Sequence, residues 1–251
     1  MTDPMAGFSR RSFAAPLRDG SSIDHDVYSR GEGRPVVLIQ ELPGIGQETL
    51  RLADRLVDAG HRVVLPHLFG PLGRVAMVSN LGRVFCMRKE LHLFAKNRSS
   101  PLVDWLAALC RDVRDRTGAR GVGVIGMCLT GNFAITLVSD DSVLAAVASQ
   151  PAMPFAGMGA LHMSDDEVAA VRQRLDEHGP MLAYRFAGDP LVTKKKFAAI
   201  DRAFNQGGER IRLKVLPGRG HSVLTLDFVD EAGHPTREAL DEILRYFDDK
   251  L

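Results

Sequence analysis

Net charge is nearly absent from this sequence. Its 32 lysines and arginines face 31 aspartates and glutamates over 251 residues, leaving +1. No global field draws the chain to nucleic acid or to an acidic membrane surface, and a small neutral molecule is the easier partner to expect. Cysteine is scarce as well: Cys86, Cys110 and Cys128 are scattered, with no CxxC pair and no metal-ligand spacing. A disulfide framework is excluded, and a reducing, cytoplasmic setting is expected. His162, His178 and His234 do not form a spacing such as HExxH, so neither a metal nor a cofactor is expected. Long apolar runs are missing too. The opening MTDPMAGFSRRSFAAPL has no signal-peptide core. No later stretch reaches the roughly 18 to 20 apolar residues of a membrane span. Internal repeats and low-complexity tracts are not found.

The chain does have the means to bury a core, since 45% of its residues are hydrophobic. One large domain over 1–251 is expected rather than two small ones, as a monomer or small homo-oligomer. From Val36 onward, short β-rich runs alternate with longer amphipathic ones. PVVLIQEL, HRVVLPHLF, GVGVIG, SVLAAVASQP, PMLAYRFAGD and IRLKVLPG read as strands, most of them continuously apolar. Between them GQETLRLADRLVDAG, SPLVDWLAALCRDVRDRTG, CLTGNFAITLVS, SDDEVAAVRQRLDEHG, TKKKFAAIDRAFNQGG and PTREALDEILRYFDDKL read as helices, with glycines as stops and prolines in first turns. Apolar strands separated by helices predict an α/β protein: a mostly parallel, doubly wound sheet with helices on both faces. SIDHDVYSRGEGRP is read as one or two antiparallel edge strands. The irregular stretch 71–100, rich in arginine and lysine, is read as an excursion over the sheet's upper edge that could act as a lid.

Functional groups in such sheets gather at the carboxyl ends of the strands. Four polar residues fall there: Glu41 after VVLIQ, Cys128 after GVIGM, Asp189 after LAYRFAG and His221 after KVLPGRG. In GVIGMCLTGNFAITL the cysteine occupies the apex of a strand–turn–helix, where Gly126 and Gly131 suit a tight turn. A thiol with a free pKa of about 8.5 is mostly protonated at neutral pH and needs a base or a helix N-terminus to act as a nucleophile. The turn supplies the helix and His221 could supply the base. The backbone N–H groups of Leu129 and Leu42 are the expected oxyanion donors. Each residue has a plainer reading: Cys128 as a buried inert thiol, Asp189 as a turn residue in GDP, Glu41 as a helix cap. The order nucleophile, acid, histidine along the chain favours chemistry.

These stretches, together with IQELPGIGQETLRLADRLVDAGHRVVLPHLF, FAGDPLV and PGRGHSV, resemble the dienelactone hydrolase family, a cysteine-nucleophile branch of the α/β hydrolases, from Val36 to the C-terminus. The resemblance implies the α/β-hydrolase fold and hydrolysis of a small ester or lactone through a thioester acyl-enzyme. Cys128 would be the nucleophile, His221 the base and Asp189 its orienter. Glu41 would rest beside the thiol and accept its proton as substrate binds. The sequence departs from the family at two points. Where the elbow usually reads Gly-x-Cys-x-Gly-Gly, the fifth position is Thr130, whose hydroxyl is expected near the site. HSVLTLDF offers Ser222 and Thr225 where an arginine would clamp a substrate carboxylate, so Arg83 or Arg88 is the candidate clamp and strict dienelactone specificity is not expected. Alternatives are a promiscuous carboxylesterase or thioesterase with a larger substrate entering under 71–100, and a non-catalytic binding protein on the same fold. Cys86 and Cys110 are assigned to core packing or incidental exposure, and the lysines of TKKKF to a solvated face.

Overall fold

The structure is a computed structural model that describes residues 3–17, 20–42, 44–74, 100–152, 161 and 163–251. Eight strands form one sheet in the order β1-β2-β4-β3-β5-β6-β7-β8: β1 Ser9–Pro16, β2 Ser22–Arg30, β3 Arg34–Ile39, β4 His61–Pro66, β5 Val122–Met127, β6 Val143–Ser149, β7 Met181–Phe186 and β8 Ile211–Leu216. From β4 to β8 every pairing is parallel, whereas β1 pairs with β2, and β2 with β4, in antiparallel register. Among the described residues six helices connect them: α1 Gln47–Asp58, α2 Pro101–Thr117, α3 Leu129–Leu137, α4 Asp165–His178, α5 Lys194–Phe204 and α6 Pro235–Lys250.

Alternation along each strand sorts its side chains into two apolar layers. Val36 and Leu38 of β3, with Val63 and Leu65 of β4, face α1 and α6, where Leu52, Leu56, Ile243 and Phe247 complete one layer. Val37 and Ile39 point the other way and join Trp105, Leu109, Phe133, Ile200 and Phe204 of α2, α3 and α5. Both faces are therefore covered, which is why the central strands are continuously apolar. No helix among the described residues is long and apolar enough to cross a membrane.

Two readings change. SIDHDVYSRGEGRP holds one strand, β2, and its antiparallel partner is the upstream segment Ser9–Pro16. That strand alternates exposed and half-buried positions along most of its length at the sheet's margin, so it carries no continuous apolar signal. The lysines of TKKKF are not uniformly solvated: Lys196 lies on the same buried stripe of α5 as Phe197, Ile200 and Phe204, and burial pulls its ammonium down to about 8. Residues 75–99, with Arg83, Arg88 and most of the expected lid, lie outside the described residues.

At the amino ends of the strands, His61 opens β4 and is buried edge-on against Phe247, with ring centroids 5.9 Å apart. Neither of its ring nitrogens has a hydrogen-bond partner. Burial lowers its pKa, overcoming the Asp248 carboxylate, which raises it, while Arg34 adds to the lowering. The folded chain therefore binds a proton here less readily than the unfolded chain, whose histidine titrates near about 6.5. Below that pH the unfolded state takes up the extra proton, so this contribution to stability is present at neutral pH and is lost as pH falls. Between pH 7 and pH 5 the denaturant midpoint of the native chain is expected to move downward relative to that of His61→Leu.

Candidate active site

The carboxyl ends of β3, β5, β6, β7 and the loop after β8 meet above the sheet. Cys128 sits between β5 and α3 with φ 56° and ψ −123°, a conformation that non-glycine residues rarely adopt. Its peptide is held on both sides, with its N–H donating to Ser149 O at 3.1 Å and its carbonyl accepting from Ala152 N at 3.0 Å. The two glycines of the turn are there for lack of space. A Cβ on Gly126 would lie 2.2 Å from Thr130 O, and one on Gly131 would lie 3.0 Å from both Ser149 O and Pro151 Cα. Gly126→Ala should therefore push the strand off the helix, costing about 1–3 kcal/mol by overpacking. A lowered thermal midpoint together with a disturbed Cys128 environment would report it.

Asp189 and His221 are brought together by loops that continue the β7–β8 pairing: Ala187 N donates to Leu216 O at 2.7 Å and Gly188 N to Gly218 O at 2.9 Å. The approach leaves no room at Gly188, where a Cβ would sit 2.9 Å from Arg219 Cγ. The His221 Nδ1 lies 2.9 Å from Asp189 Oδ2 and 3.1 Å from Oδ1. Asp189 is itself fixed, because its Oδ1 accepts from Leu191 N at 2.8 Å and Val192 N at 2.9 Å, and its side chain is wholly buried. His221 Nε2 is buried without a hydrogen-bond partner, and the Cys128 thiol is close enough to be coupled to the ring. Burial alone would lower the imidazole's pKa. Asp189 and the Cys128 sulfur together outweigh it and push the ring up to about 10.

Glu41 is buried beneath the His221 loop. Its Oε1 accepts from the Thr225 hydroxyl, and its Oε2 from Ser222 Oγ at 3.0 Å and from Gln150 Nε2 at 3.5 Å. Burial raises its pKa, against the opposing pull of those two hydroxyls and of His221. Its hydrogen bonds run to Ser222, Thr225 and Gln150. Glu41 is not a helix cap, since α1 begins after Gly46.

Thr130 and Ser222, expected near substrate, are both engaged inside the protein. Thr130 Oγ1 accepts from Met127 N at 2.9 Å and faces the carbonyls of Gln40 at 3.1 Å and Met127 at 2.9 Å, lashing the turn to the end of β3. The threonine thus fits the place of the family's glycine as an internal clasp. Leu129 is the first residue of α3, so its N–H is among the helix's donors without an intrahelical partner. Leu42 is buried just beyond Glu41. Cys110 is buried on α2 with its thiol pushed far up by desolvation, leaving it inert.

Sequence reading missed two residues. Asp227 Oδ2 accepts from both His221 N and Ser222 N at 2.8 Å and shapes the histidine loop. Gln150, directly after β6, is fully buried at the centre of these contacts. Both carry ordinary side chains in loops, and nothing in their local pattern marks them.

The strand order, the two antiparallel strands at one edge and the sharp β5–α3 turn define an α/β hydrolase. The sequence matches the dienelactone hydrolase family over residues 27–249, and the chain belongs to that family. It is thereby a carboxylic-ester hydrolase. Solved structures share the fold at low identity. A candidate dienelactone hydrolase from Klebsiella pneumoniae is 14% identical with a TM-score of 0.61, over 96% of this chain and 99% of that one. A cold-adapted esterase from an Arctic intertidal metagenomic library is 18% identical with a TM-score of 0.63, over 98% and 95%. A dienelactone hydrolase-like promiscuous phosphotriesterase from metagenomic libraries is 15% identical with a TM-score of 0.60, over 96% and 99%. No curated protein matches the sequence.

Proposed function

We propose that this chain hydrolyses small esters or lactones with a Cys128–His221–Asp189 triad, through a thioester acyl-enzyme. The observation that carries the reading is a cysteine held in a strained strand–helix turn beside a histidine whose far nitrogen is bound to a buried carboxylate. His221 Nε2 takes the thiol proton, and the sulfur's electron pair attacks the carbonyl carbon. Charge moves to the carbonyl oxygen, which the N–H groups of Leu129 and Leu42 receive. As that tetrahedral species collapses, the C–O bond to the leaving alcohol breaks and the alkoxide takes the proton from His221. Water then attacks the thioester while His221 removes its proton. Collapse breaks the C–S bond and releases the acid, and the proton held by His221 returns to the Cys128 sulfur.

A raised histidine pKa suits this cycle, because the imidazolium beside sulfur is the form that protonates the leaving group. Glu41 belongs to the support of the histidine loop, holding Ser222 and Thr225. Substrates that lack a carboxylate fit the absence of an arginine from HSVLTLDF, the stretch that begins at His221. The test is intact mass after brief exposure to 4-nitrophenyl acetate. An acetyl adduct is expected on the native chain and not on Cys128→Ala, with 4-nitrophenol released at a steady rate by the native chain alone. Nitrophenol turnover by Cys128→Ala at the native rate would sink the reading.

A further inference from the structure

Gln150 joins three strand ends. It follows β6 directly, is wholly buried and has φ 37°, the only non-glycine residue besides Cys128 at positive φ among the described residues. A glutamine stays in that conformation only where its surroundings over-determine it. Here they do. Its backbone N–H donates to Tyr184 O of β7 at 2.7 Å. Its side-chain Oε1 accepts from the Ser149 hydroxyl and, at 3.3 Å, from Val223 N, and Nε2 donates to Glu41 Oε2 in a long contact of 3.5 Å.

Glu41 in turn accepts from Ser222 and Thr225, so the two side chains together hold the segment that follows His221. The backbone around Gln150 holds the other partner: Ser149 O accepts from Cys128 N, Ala152 N donates to Cys128 O, and the bare Cα of Gly131 packs on Pro151. One residue therefore touches the mount of the thiol through its neighbours and the mount of the imidazole through its amide. We infer that Gln150 is a positioning residue that sets the separation of the Cys128 thiol and the His221 imidazole, acting through Val223 N–H and Glu41. This rests on the proposed role of that pair.

The amide is suited to the task because it offers an acceptor to a backbone N–H and a donor to a carboxyl group at once. Methionine of similar length would fill the space but take one acceptor from Val223 N–H, which keeps only His221 O at 3.1 Å, and one donor from Glu41, which keeps Ser222 and Thr225. Glutamate would keep the acceptor for Val223 but set a second carboxyl group against Glu41, and two such groups share a proton before both ionise.

The experiment compares native chain, Gln150→Met and Gln150→Glu by three readouts: thermal midpoint, kcat and KM on 4-nitrophenyl acetate, and the pH dependence of Cys128 alkylation by iodoacetamide followed by peptide mass. For Gln150→Met, kcat should fall roughly tenfold to a hundredfold with KM within about twofold, as expected when reacting groups are misplaced by a fraction of an ångström to one ångström. The pH profile of Cys128 alkylation should be displaced from the native one. For Gln150→Glu, activity should persist at the acid end and decline through an added ionisation as pH rises. Folded variants with native kcat and an unshifted alkylation profile overturn the inference. If Gln150→Met does not fold, a folded Gln150→Glu without the added ionisation overturns it. If the native chain forms no acyl adduct, the hydrolase reading fails, while the alkylation profiles still decide whether Gln150 couples thiol to imidazole.

Discussion

Replacing Cys128 with alanine is expected to lower kcat by roughly four to six orders of magnitude on any ester the native chain turns over, the range seen when a triad nucleophile is removed. The size of the effect follows from what the turn does. The turn, with Cys128 at φ 56°, places the sulfur at the start of α3, beside the imidazole, and alanine leaves no nucleophilic atom of the chain there. The fold should survive, because alanine has the same backbone preferences as cysteine and the peptide hydrogen bonds to Ser149 and Ala152 do not involve the side chain. Steady-state rates and a thermal midpoint on the same preparation separate the two effects. A residual rate within tenfold of native would assign the chemistry elsewhere.

Asp189→Asn is expected to cost roughly four orders of magnitude in kcat while leaving the loop in place. The direction of the amide is set in advance. Leu191 N and Val192 N both donate to Oδ1, so the asparagine oxygen must stay there and its NH2 group must face His221 Nδ1. Nδ1 then has to accept, the ring proton moves to Nε2, and the nitrogen nearest sulfur can no longer take a proton from the thiol. Loss of the carboxylate also removes the largest of the influences that raise the imidazole, so its pKa should drop from about 10. Histidine proton resonances followed against pH would show that fall. Native kcat in the Asp189→Asn variant would rule out the orienting role.

Much of the fold was legible because local rules governed it. Strands β3 and β5 are buried on both faces and therefore read as unbroken apolar runs. α2 ends at Gly118, whose left-handed φ of 64° is one that glycine adopts freely. The antiparallel strand β1 was not legible, since it lies at the sheet's margin, where alternation is weak and most side chains meet solvent. Lys196 misled for the opposite reason: a charge in a lysine run suggests water, yet the helical period places it on the buried stripe with Phe197 and Ile200.

The candidate site divides in the same way. Cys128, Asp189 and His221 stand out in the sequence because each follows an apolar strand and two are flanked by glycines that their turns require, a matter of period and backbone sterics. The partners of Glu41, the double acceptor role of Asp227 and the bridging amide of Gln150 are contacts between residues tens to nearly two hundred positions apart, or within a loop whose shape is not encoded by a period. Sequence alone determined the succession of strands and helices from β3 onward and which polar side chains follow the strands, because burial and backbone sterics act on neighbours along the chain. Only the tertiary structure decided which buried donor meets which acceptor, because that depends on how the strand-end loops pack once the sheet is assembled and water has been excluded from between them.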